Sequence, residues 1–275
     1  MIAFQREVDE LFAAIHRDDP AGVIEQFVSL PSASQYRKLY ALANRYLAPE
    51  SAVLDWGCGR GHFSYFLVKC GFRVTAFSLE HPPEIFSALS AEERARLEFV
   101  RGALEDPRAL PFATGQFAAA FSVGVLEHVR ELNGNELASL VELRRVLARD
   151  GVLVCYHLPN RYSYIEAARR ALSGSTAGSS RGDSAFHRYR FTRRDIDALC
   201  AEAGFFQVEV GRYGFLPRNS FNRLPRVLRE SRTLTWAVNG GDAVLDRLFS
   251  RVVQNYYFVA RPRHEANGAS RHEVA

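Results

Sequence analysis

Residues 55–61 read Asp-Trp-Gly-Cys-Gly-Arg-Gly, and this stretch decides the fold class. It follows a short apolar run over 52–55 and precedes a helical pattern over 62–70. Glycines in such a turn let the backbone bend tightly and let a ligand touch the main chain. The amides at the start of the helix then face that ligand. The stretch therefore predicts a strand, a ligand-binding turn and a helix in direct succession.

The remaining chain alternates short apolar runs with helical patterns, and this alternation predicts the architecture. Together with 52–55, the predicted strands are 72–77, 97–102, 117–123, 151–158, 205–213 and 252–260. The predicted helices are 4–15, 36–47, 62–70, 85–89, 133–148 and 192–203. Such an order is typical of an α/β fold, here a mostly parallel seven-stranded sheet with helices on both faces.

Four segments lie outside this regular alternation. Residues 1–34 are predicted to form an N-terminal helical extension to a main domain of 35–262. Residues 173–185 are small and polar, which predicts a mobile loop. Residues 213–251 separate the last two strands and are predicted to form a helical cap inserted before the last strand. The end of the chain, 263–275, is predicted to be a flexible tail.

Composition and charge limit the classes of protein. The chain has 275 residues, a formal net charge of +4 and a sequence pI of about 9.0. This mild basic excess is too weak to indicate nucleic-acid binding. The four cysteines form no Cys-x-x-Cys pair, which predicts reduced thiols, no metal site and a cytoplasmic location. The N-terminus lacks the pattern of a signal peptide, and no apolar run reaches the length of a membrane span.

The residues around the glycines separate two classes of cofactor. A nicotinamide dinucleotide prefers Gly-x-Gly-x-x-Gly, but His62 occupies the third glycine position. Asp55, at the end of the strand, suits a cationic, amino-bearing ligand better than a pyrophosphate. The pattern therefore favours a sulfonium cofactor over a dinucleotide. A glycine-rich turn that binds no ligand is the remaining interpretation.

Several further motifs follow the turn in order, and together they carry a family resemblance. They are LDWGCGRG at 54–61, LPFATGQF at 110–117, VLEHV at 125–129, VELRRVLARDGVLV at 141–154, HLPN at 157–160 and HRYRFTRRDIDALCAEAGF at 187–205. Over these motifs the chain resembles the class I S-adenosylmethionine-dependent methyltransferases of the methyltransferase type 11 group, most of all the ubiquinone-biosynthesis O-methyltransferases. The resemblance implies a Rossmann-like fold and S-adenosyl-L-methionine as cofactor.

The resemblance also implies a cofactor site at the ends of the first four strands. Residues around the methionine part would be Asp55, Gly57, Cys58, Gly59 and Gly61, with Val123 at the end of the fourth strand. Residues around the ribose would be Ser78, Leu79 and Glu80, and those around the adenine Ala103, Leu104 and Glu105. Ser78 stands where the family usually has an acid, so either its hydroxyl or the carboxylate of Glu80 would hold the ribose.

A hydroxyl acceptor needs a base, and histidine is the natural choice near neutral pH. We assign this role to His128 in the VLEHV motif, with a structural role in its loop as the alternative. His157 and His187 are weaker candidates. Glu127 is interpreted as a partner of backbone amides at a helix start.

The acceptor is predicted to be a small molecule or a lipid-linked compound that is methylated at oxygen. In the cap, Leu224, Val227 and Leu228, with Arg226 and Arg229 beside them, predict an amphipathic helix that covers the pocket or meets a membrane. Two other interpretations remain. One is an inactive methyltransferase-fold binding protein, consistent with the departures at Ser78 and at Ala118, where the family often has an aspartate. The other is a nicotinamide-dependent oxidoreductase.

Overall fold

The computed structural model describes residues 5–18, 24–103, 106, 109–132, 135–172 and 189–263. One sheet contains seven strands. They are β1 (Ala52–Trp56), β2 (Arg73–Ser78), β3 (Leu97–Arg101), β4 (Phe117–Val123), β5 (Leu147–Pro159), β6 (Phe205–Tyr213) and β7 (Asn255–Pro262). Their order across the sheet is β3-β2-β1-β4-β5-β7-β6. The first five strands lie parallel, and β7 runs antiparallel to both β5 and β6.

The strand order reverses beside β1, and this fixes the position of the glycine-rich turn. β1 pairs with β2 on one side and with β4 on the other, so that Trp56 lies opposite both Phe77 and Ser122. Because these strands are parallel, their carboxyl ends meet at one edge of the sheet. Ligands of open α/β sheets bind at this edge, where the strand order reverses.

Helices cover both faces of the sheet. Within the described residues they are α1 (Gln5–Asp18), α2 (Leu30–Ala33), α3 (Arg37–Tyr46), α4 (His62–Lys69), α5 (Ala91–Arg94), α6 (Glu136–Val146), α7 (Tyr164–Leu172), α8 (Arg193–Glu202), α9 (Arg226–Arg229) and α10 (Arg232–Leu248). Side chains alternate across a strand, so Val53 packs with α1, α3 and α4, whereas Leu54 packs with α6 and α8. Two apolar cores therefore form, one on each face.

The predicted fold class is confirmed, and the element boundaries differ in places. The predicted helix over 85–89 is a 3-10 helix, Glu84–Ala88, and α5 follows it as a separate short turn. Leu89 adopts an extended conformation and ends this segment, and Ser90 then caps α5. β5 begins four residues before the predicted 151, because it pairs with Phe117 through a β-bulge.

The N-terminal helices and the cap form one packed unit above the sheet edge. Ser29 Oγ donates a hydrogen bond to Asn222 Oδ1 over 2.6 Å, and Ser32 Oγ donates one to Asn219 Oδ1 over 2.8 Å. Arg218, in the 3-10 helix Arg218–Arg223, is only 5% exposed and forms an ion pair with Asp242 of α10 at 2.6 Å. We call this unit, 24–36 with 214–248, the roof.

One expectation for the cap was wrong, and the position of Arg218 is a further finding. Arg218 belongs to the buried interior and not to a basic outer surface. The predicted amphipathic helix around Leu224 is absent, since α9 has four residues, buries none of them and leaves Val227 82% exposed. The long helix of the cap is α10. Ser231 is its N-cap, and the Ser231 side chain accepts a hydrogen bond from the Leu234 amide. None of the described helices is long and apolar enough to cross a membrane.

Some predictions fall on residues outside the described ranges. They concern the loop over 173–185, the tail beyond 263, His187, Leu104 and Glu105. The four cysteines, Cys58, Cys70, Cys155 and Cys200, are all described and are free thiols.

Candidate functional site

The glycine-rich turn is held against the end of β2. The backbone amides of Gly57 and Cys58 both donate to the carbonyl oxygen of Phe77, over 2.8 and 3.0 Å. Gly59 has a φ of +51°, and a Cβ added to it would meet only the Gly57 carbonyl oxygen at 4.0 Å. A Cβ on Gly57 would instead lie 2.5 Å from the Val125 side chain. The space beside Gly59 is therefore open, and we call it the cradle. Gly57 instead lets the Val125 side chain pack closely against the turn.

Asp55 lies beneath this turn and is 1% exposed. The Ser64 hydroxyl donates a hydrogen bond to its carboxylate over 2.6 Å. Burial raises the pKa of Asp55 to about 6, and the Ser64 hydrogen bond partly opposes that rise. A buried carboxylate of this kind gains most from a cationic partner, because the cation offsets the lost hydration.

A cavity of about 1050 Å³ opens between the turn and the roof. The predicted site residues on its wall are Asp55, Gly57, Cys58, Gly59, Val123 and His128. Further wall residues that the sequence analysis did not assign to the cofactor include Tyr36, Arg37, His62, Tyr156, Tyr213 and Leu216. The cavity therefore reaches from the ends of β1 and β4 across β5 to the cap.

The other predicted cofactor residues lie off this wall. A Cβ on Gly61 would meet Phe86 and Pro83 within 2.8 Å, so Gly61 permits packing on the 3-10 helix after β2. Ser78 ends β2, and its hydroxyl oxygen accepts a hydrogen bond from the Glu80 amide over 3.1 Å. Leu79 is half-buried, while Glu80 and Ala103 are exposed. These residues follow the ends of β2 and β3, beside the glycine-rich turn.

His128 is carried by the 3-10 helix Leu126–Leu132, directly after β4. Its Nδ1 lies 3.1 Å from the Glu131 carboxylate, and its Nε2 lies 4.0 Å from Glu127. A carboxylate beside Nδ1 favours the tautomer that carries the proton there. Glu127 is fully buried on the cavity wall, and burial raises its pKa to about 8. The histidine thus stands between one exposed and one buried carboxyl group.

His157 sits at a bulge of β5 with a φ of +67°. Its backbone amide donates to the Tyr213 hydroxyl over 3.0 Å, and its Nδ1 lies 2.7 Å from the same hydroxyl. The Tyr156 ring stacks on Tyr213 with centroids 4.4 Å apart, and the Tyr156 hydroxyl donates to the Gln35 carbonyl oxygen. His157 is therefore part of an aromatic wall that joins β5, β6 and the roof.

Arg37 is the functional candidate that sequence reasoning missed. Its guanidinium lines the cavity, and within the described residues Nη1 is buried and has no hydrogen-bond partner. Burial lowers its pKa, and the neighbouring Arg218 lowers it further. Buried cations are normally paired, so this one points to an anionic group of a ligand. No local pattern marks it, because its place on the cavity wall is visible only after folding.

His62, at the third glycine position, also lines the cavity. Its ring centroid lies 4.6 Å from that of Tyr36, and burial lowers its pKa to about 4. The imidazole is therefore neutral near pH 7. Within the described part of the chain, no group of three or more histidine, cysteine or acidic side chains is placed to bind a metal ion.

Comparisons with known proteins agree with this geometry. Residues 54–155 match the family model described as a methyltransferase domain. No curated protein sequence matches the chain. One similar solved structure is the 1,6-didemethyltoxoflavin-N1-methyltransferase of Burkholderia thailandensis, with bound 1,6-didemethyltoxoflavin and S-adenosylhomocysteine. Its TM-score is 0.53 and its identity 20%, over 93% of this chain and 87% of that one.

Two further structures share the fold. The methyltransferase in complex with the Haloferax volcanii Trm112 methyltransferase activator has a TM-score of 0.52 and 17% identity, over 94% of this chain and 99% of that one. The [4+2]-cyclase SpnF has a TM-score of 0.53 and 17% identity, over 86% of this chain and 83% of that one. At these identities the likeness concerns the fold, so the chemistry must be argued from the site.

The family match begins inside β1 and ends inside β5, so it contains the glycine-rich turn, the end of β2 and His128. The sheet order places those segments at one edge, beside a cavity whose wall includes Arg37 and the buried Asp55. Residues 54–155 therefore match a methyltransferase domain, and the chain shares its fold with solved methyltransferases.

Proposed function

We propose that this enzyme transfers a methyl group to oxygen of a small-molecule or lipid-linked acceptor, with His128 as the general base. The observation that carries the proposal is the continuous cavity that joins Asp55 and Gly59 to His128 and then to the cap. One cavity of about 1050 Å³ has room for a cofactor and an acceptor side by side. The four cysteines of the chain are free thiols, and they support the cytoplasmic location that we propose.

The wall of the cavity fits the methionine end of the cofactor, which carries an ammonium and a carboxylate. We assign the ammonium to Asp55, whose buried carboxylate lies beneath the turn, and the carboxylate to Arg37, whose Nη1 has no partner among the described residues. The open cradle above Gly59 receives the chain between them. One wall of the cavity thus carries an acidic and a basic side chain, which suit the ammonium and the carboxylate of the methionine end.

The ribose and adenine are proposed to follow the end of β2. Because the Gly57 and Cys58 amides bind the Phe77 carbonyl, the turn and Ser78 are adjacent. We propose that Ser78, Leu79 and Glu80 hold the ribose, and that Ala103, Leu104 and Glu105 lie near the adenine. Gly61 supports this part of the site by letting Pro83 and Phe86 approach the turn.

When bound, S-adenosylmethionine supplies a methyl group that is already activated by its sulfonium. The protein must then align the acceptor, exclude water and remove the acceptor proton. His128 Nε2 is the nitrogen that takes this proton, because Glu131 favours the tautomer with a hydrogen on Nδ1. The resulting imidazolium would lie beside the Glu131 carboxylate, which stabilises its charge.

A base beside the cofactor supports oxygen as the acceptor atom. A neutral amine needs no deprotonation before attack, whereas a hydroxyl gains from a base. The Burkholderia thailandensis relative is named an N1-methyltransferase, so nitrogen is the alternative. Replacing His128 distinguishes an oxygen acceptor from a nitrogen acceptor.

Replacing His128 with asparagine is expected to lower kcat for a hydroxyl acceptor by about a hundredfold or more. The affinity for S-adenosylhomocysteine should stay near that of the wild type, as measured by calorimetry. The deficit should shrink for an acceptor with a more acidic hydroxyl, because such an acceptor needs less help to lose its proton. His81→Asn is the matched control, since this histidine is exposed and lies off the cavity wall. An unchanged kcat in His128→Asn would assign the histidine a structural role and favour nitrogen.

Replacing Arg37 with glutamine is expected to weaken S-adenosylhomocysteine binding by about tenfold to a hundredfold, the effect of losing one charged hydrogen bond. Binding of 5′-methylthioadenosine, which has neither carboxylate nor ammonium, should be unaffected. Both affinities can be measured by calorimetric titration of the same variant. Equal losses for the two ligands would show that Arg37 supports the roof and does not bind the carboxylate.

A further inference from the structure

The outer surface of α10 is unusually apolar for an exposed helix. Of the ten exposed large hydrophobic side chains among the described residues, six lie between residues 213 and 251. They are Val227, Leu228, Trp236, Val244, Leu248 and Phe249. Single exposed apolar side chains are ordinary, but a concentration of them marks an interaction surface.

Helical spacing gathers three of these side chains into one stripe. With 3.6 residues per turn, Trp236, Val244 and Leu248 fall within about 120° of one another on α10. They are 66%, 57% and 70% exposed. The opposite side of the helix is buried through Thr235, Val238, Asn239 and Asp242. The helix is therefore fixed in the roof by polar contacts and turns its apolar stripe to solvent.

The charges around the stripe are mostly basic. Arg247 and Arg251 are exposed beside its C-terminal part, and Arg232 is exposed before Trp236 but pairs with Asp9 at 3.2 Å. The acids of the same helix face inward, since Asp242 pairs with Arg218 and Asp246 accepts the backbone amides of Gly214 and Phe215. An apolar stripe with a basic border complements an anionic lipid surface, which accepts side chains such as tryptophan at its interface and attracts arginine.

The stripe also borders the entrance of the cavity. Ala243 and Arg247 line the cavity, and each directly precedes a member of the stripe, Val244 or Leu248. One helix thus presents neighbouring sides to the site and to solvent. A lipid-linked acceptor could pass from a membrane to the cavity along α10 without crossing open water.

We propose that the stripe of Trp236, Val244 and Leu248, with its bordering arginines, docks the enzyme on an anionic membrane surface. The inference rests on the proposed function for its purpose, because it names where a lipid-linked acceptor would be met. Docking itself requires no acceptor and no cofactor, so it can be tested separately from methyl transfer.

The test is flotation of the full chain with phosphatidylcholine vesicles that contain phosphatidylglycerol, compared with phosphatidylcholine alone. The wild type should float with the anionic vesicles and bind the neutral ones much less. The triple variant Trp236→Ser, Val244→Ser, Leu248→Ser should lose at least tenfold in partitioning, and Arg251→Gln about fivefold on anionic vesicles only. Val141→Ser is the matched control, because Val141 is an exposed helical valine on α6.

Two further measurements distinguish membrane docking from cofactor binding and from dimerisation. Calorimetry with S-adenosylhomocysteine should give the same affinity for the triple variant and the wild type, since the stripe lies outside the cavity wall. If the wild-type chain binds S-adenosylhomocysteine but does not float with the vesicles, docking is overturned and the proposed methyl transfer is unaffected. The wild type could instead be a dimer and the triple variant a monomer, with neither binding vesicles. That result would show that the stripe is a contact between copies of the chain, and it would also overturn the proposal.

Discussion

Replacing Gly59 with valine is expected to abolish detectable binding of S-adenosylmethionine while the protein stays folded. A Cβ added to Gly59 would meet only the Gly57 carbonyl oxygen, at 4.0 Å. The valine side chain is therefore expected to fill the cradle on the cavity wall. Its cost to the fold is that of a branched residue at a φ of +51°, about 1–2 kcal/mol.

Two glycine variants make this result interpretable. Gly71→Val imposes the same kind of backbone strain, because Gly71 has a φ of +86° and open space around its Cβ position, but it lies away from the cavity. It should lower the thermal midpoint to a similar extent and leave cofactor affinity unchanged. Gly57→Val would press a side chain against Val125 and should damage the turn itself. Full affinity in folded Gly59→Val would show that the cofactor does not occupy the cradle.

Replacing Arg218 with alanine is expected to lower the free energy of unfolding by about 3–5 kcal/mol, the scale for breaking one partner of a buried ion pair. Arg218 donates to Asp242 Oδ2 through both Nε and Nη2, over 3.0 and 2.6 Å. Its Nη1 donates to the Ser34 hydroxyl over 2.7 Å and to the Pro31 carbonyl oxygen over 3.2 Å. One side chain thus joins the cap to α2, and its loss leaves Asp242 buried without its cation.

The double variant Arg218→Met, Asp242→Asn separates the buried charge from the missing contacts. An asparagine oxygen can still accept the Leu216 amide that Asp242 Oδ1 accepts now over 2.8 Å, and it carries no charge. Most of the lost stability should therefore return in denaturant unfolding. Arg226→Ala, which breaks only the exposed pair with Glu230, should have little effect. A similarly small effect of Arg218→Ala would show that the roof does not depend on this ion pair.

Short-range patterns in the sequence account for most of the sheet. β1 and β4 are apolar runs because helices cover both of their faces, and such runs are readable without any tertiary information. The glycine-rich turn is equally local, since positive φ angles at Gly57, Gly59 and Gly61 are decided within seven residues. The resemblance to the family rests on these same local motifs.

Long-range contacts account for what sequence reasoning missed. Arg218 reads as one of several surface arginines, because its partners Asp242 and Ser34 are 24 and 184 residues away. Arg37 reads as an ordinary helical residue, because only folding reveals that its guanidinium faces the cavity and that Nη1 has no hydrogen-bond partner among the described residues. The apolar stripe was expected near Leu224 and lies on α10, because packing against α2 decides which side of the cap is buried. The roles of His128, Ser78 and Glu80 remain predictions.

The hydrogen bonds between the roof's two halves join segments that are synthesised far apart in time. Ser29 bonds to Asn222 and Ser34 bonds to Asn239, across separations of 193 and 205 residues. Closing so long a loop costs chain entropy that only the finished sheet can offset. On the ribosome, the strands and helices up to β5 can therefore associate while the cavity is still without its cover. The cavity closes once residues 214–248 have been made, so the nascent protein gains its ligand pocket after β5 and not with it.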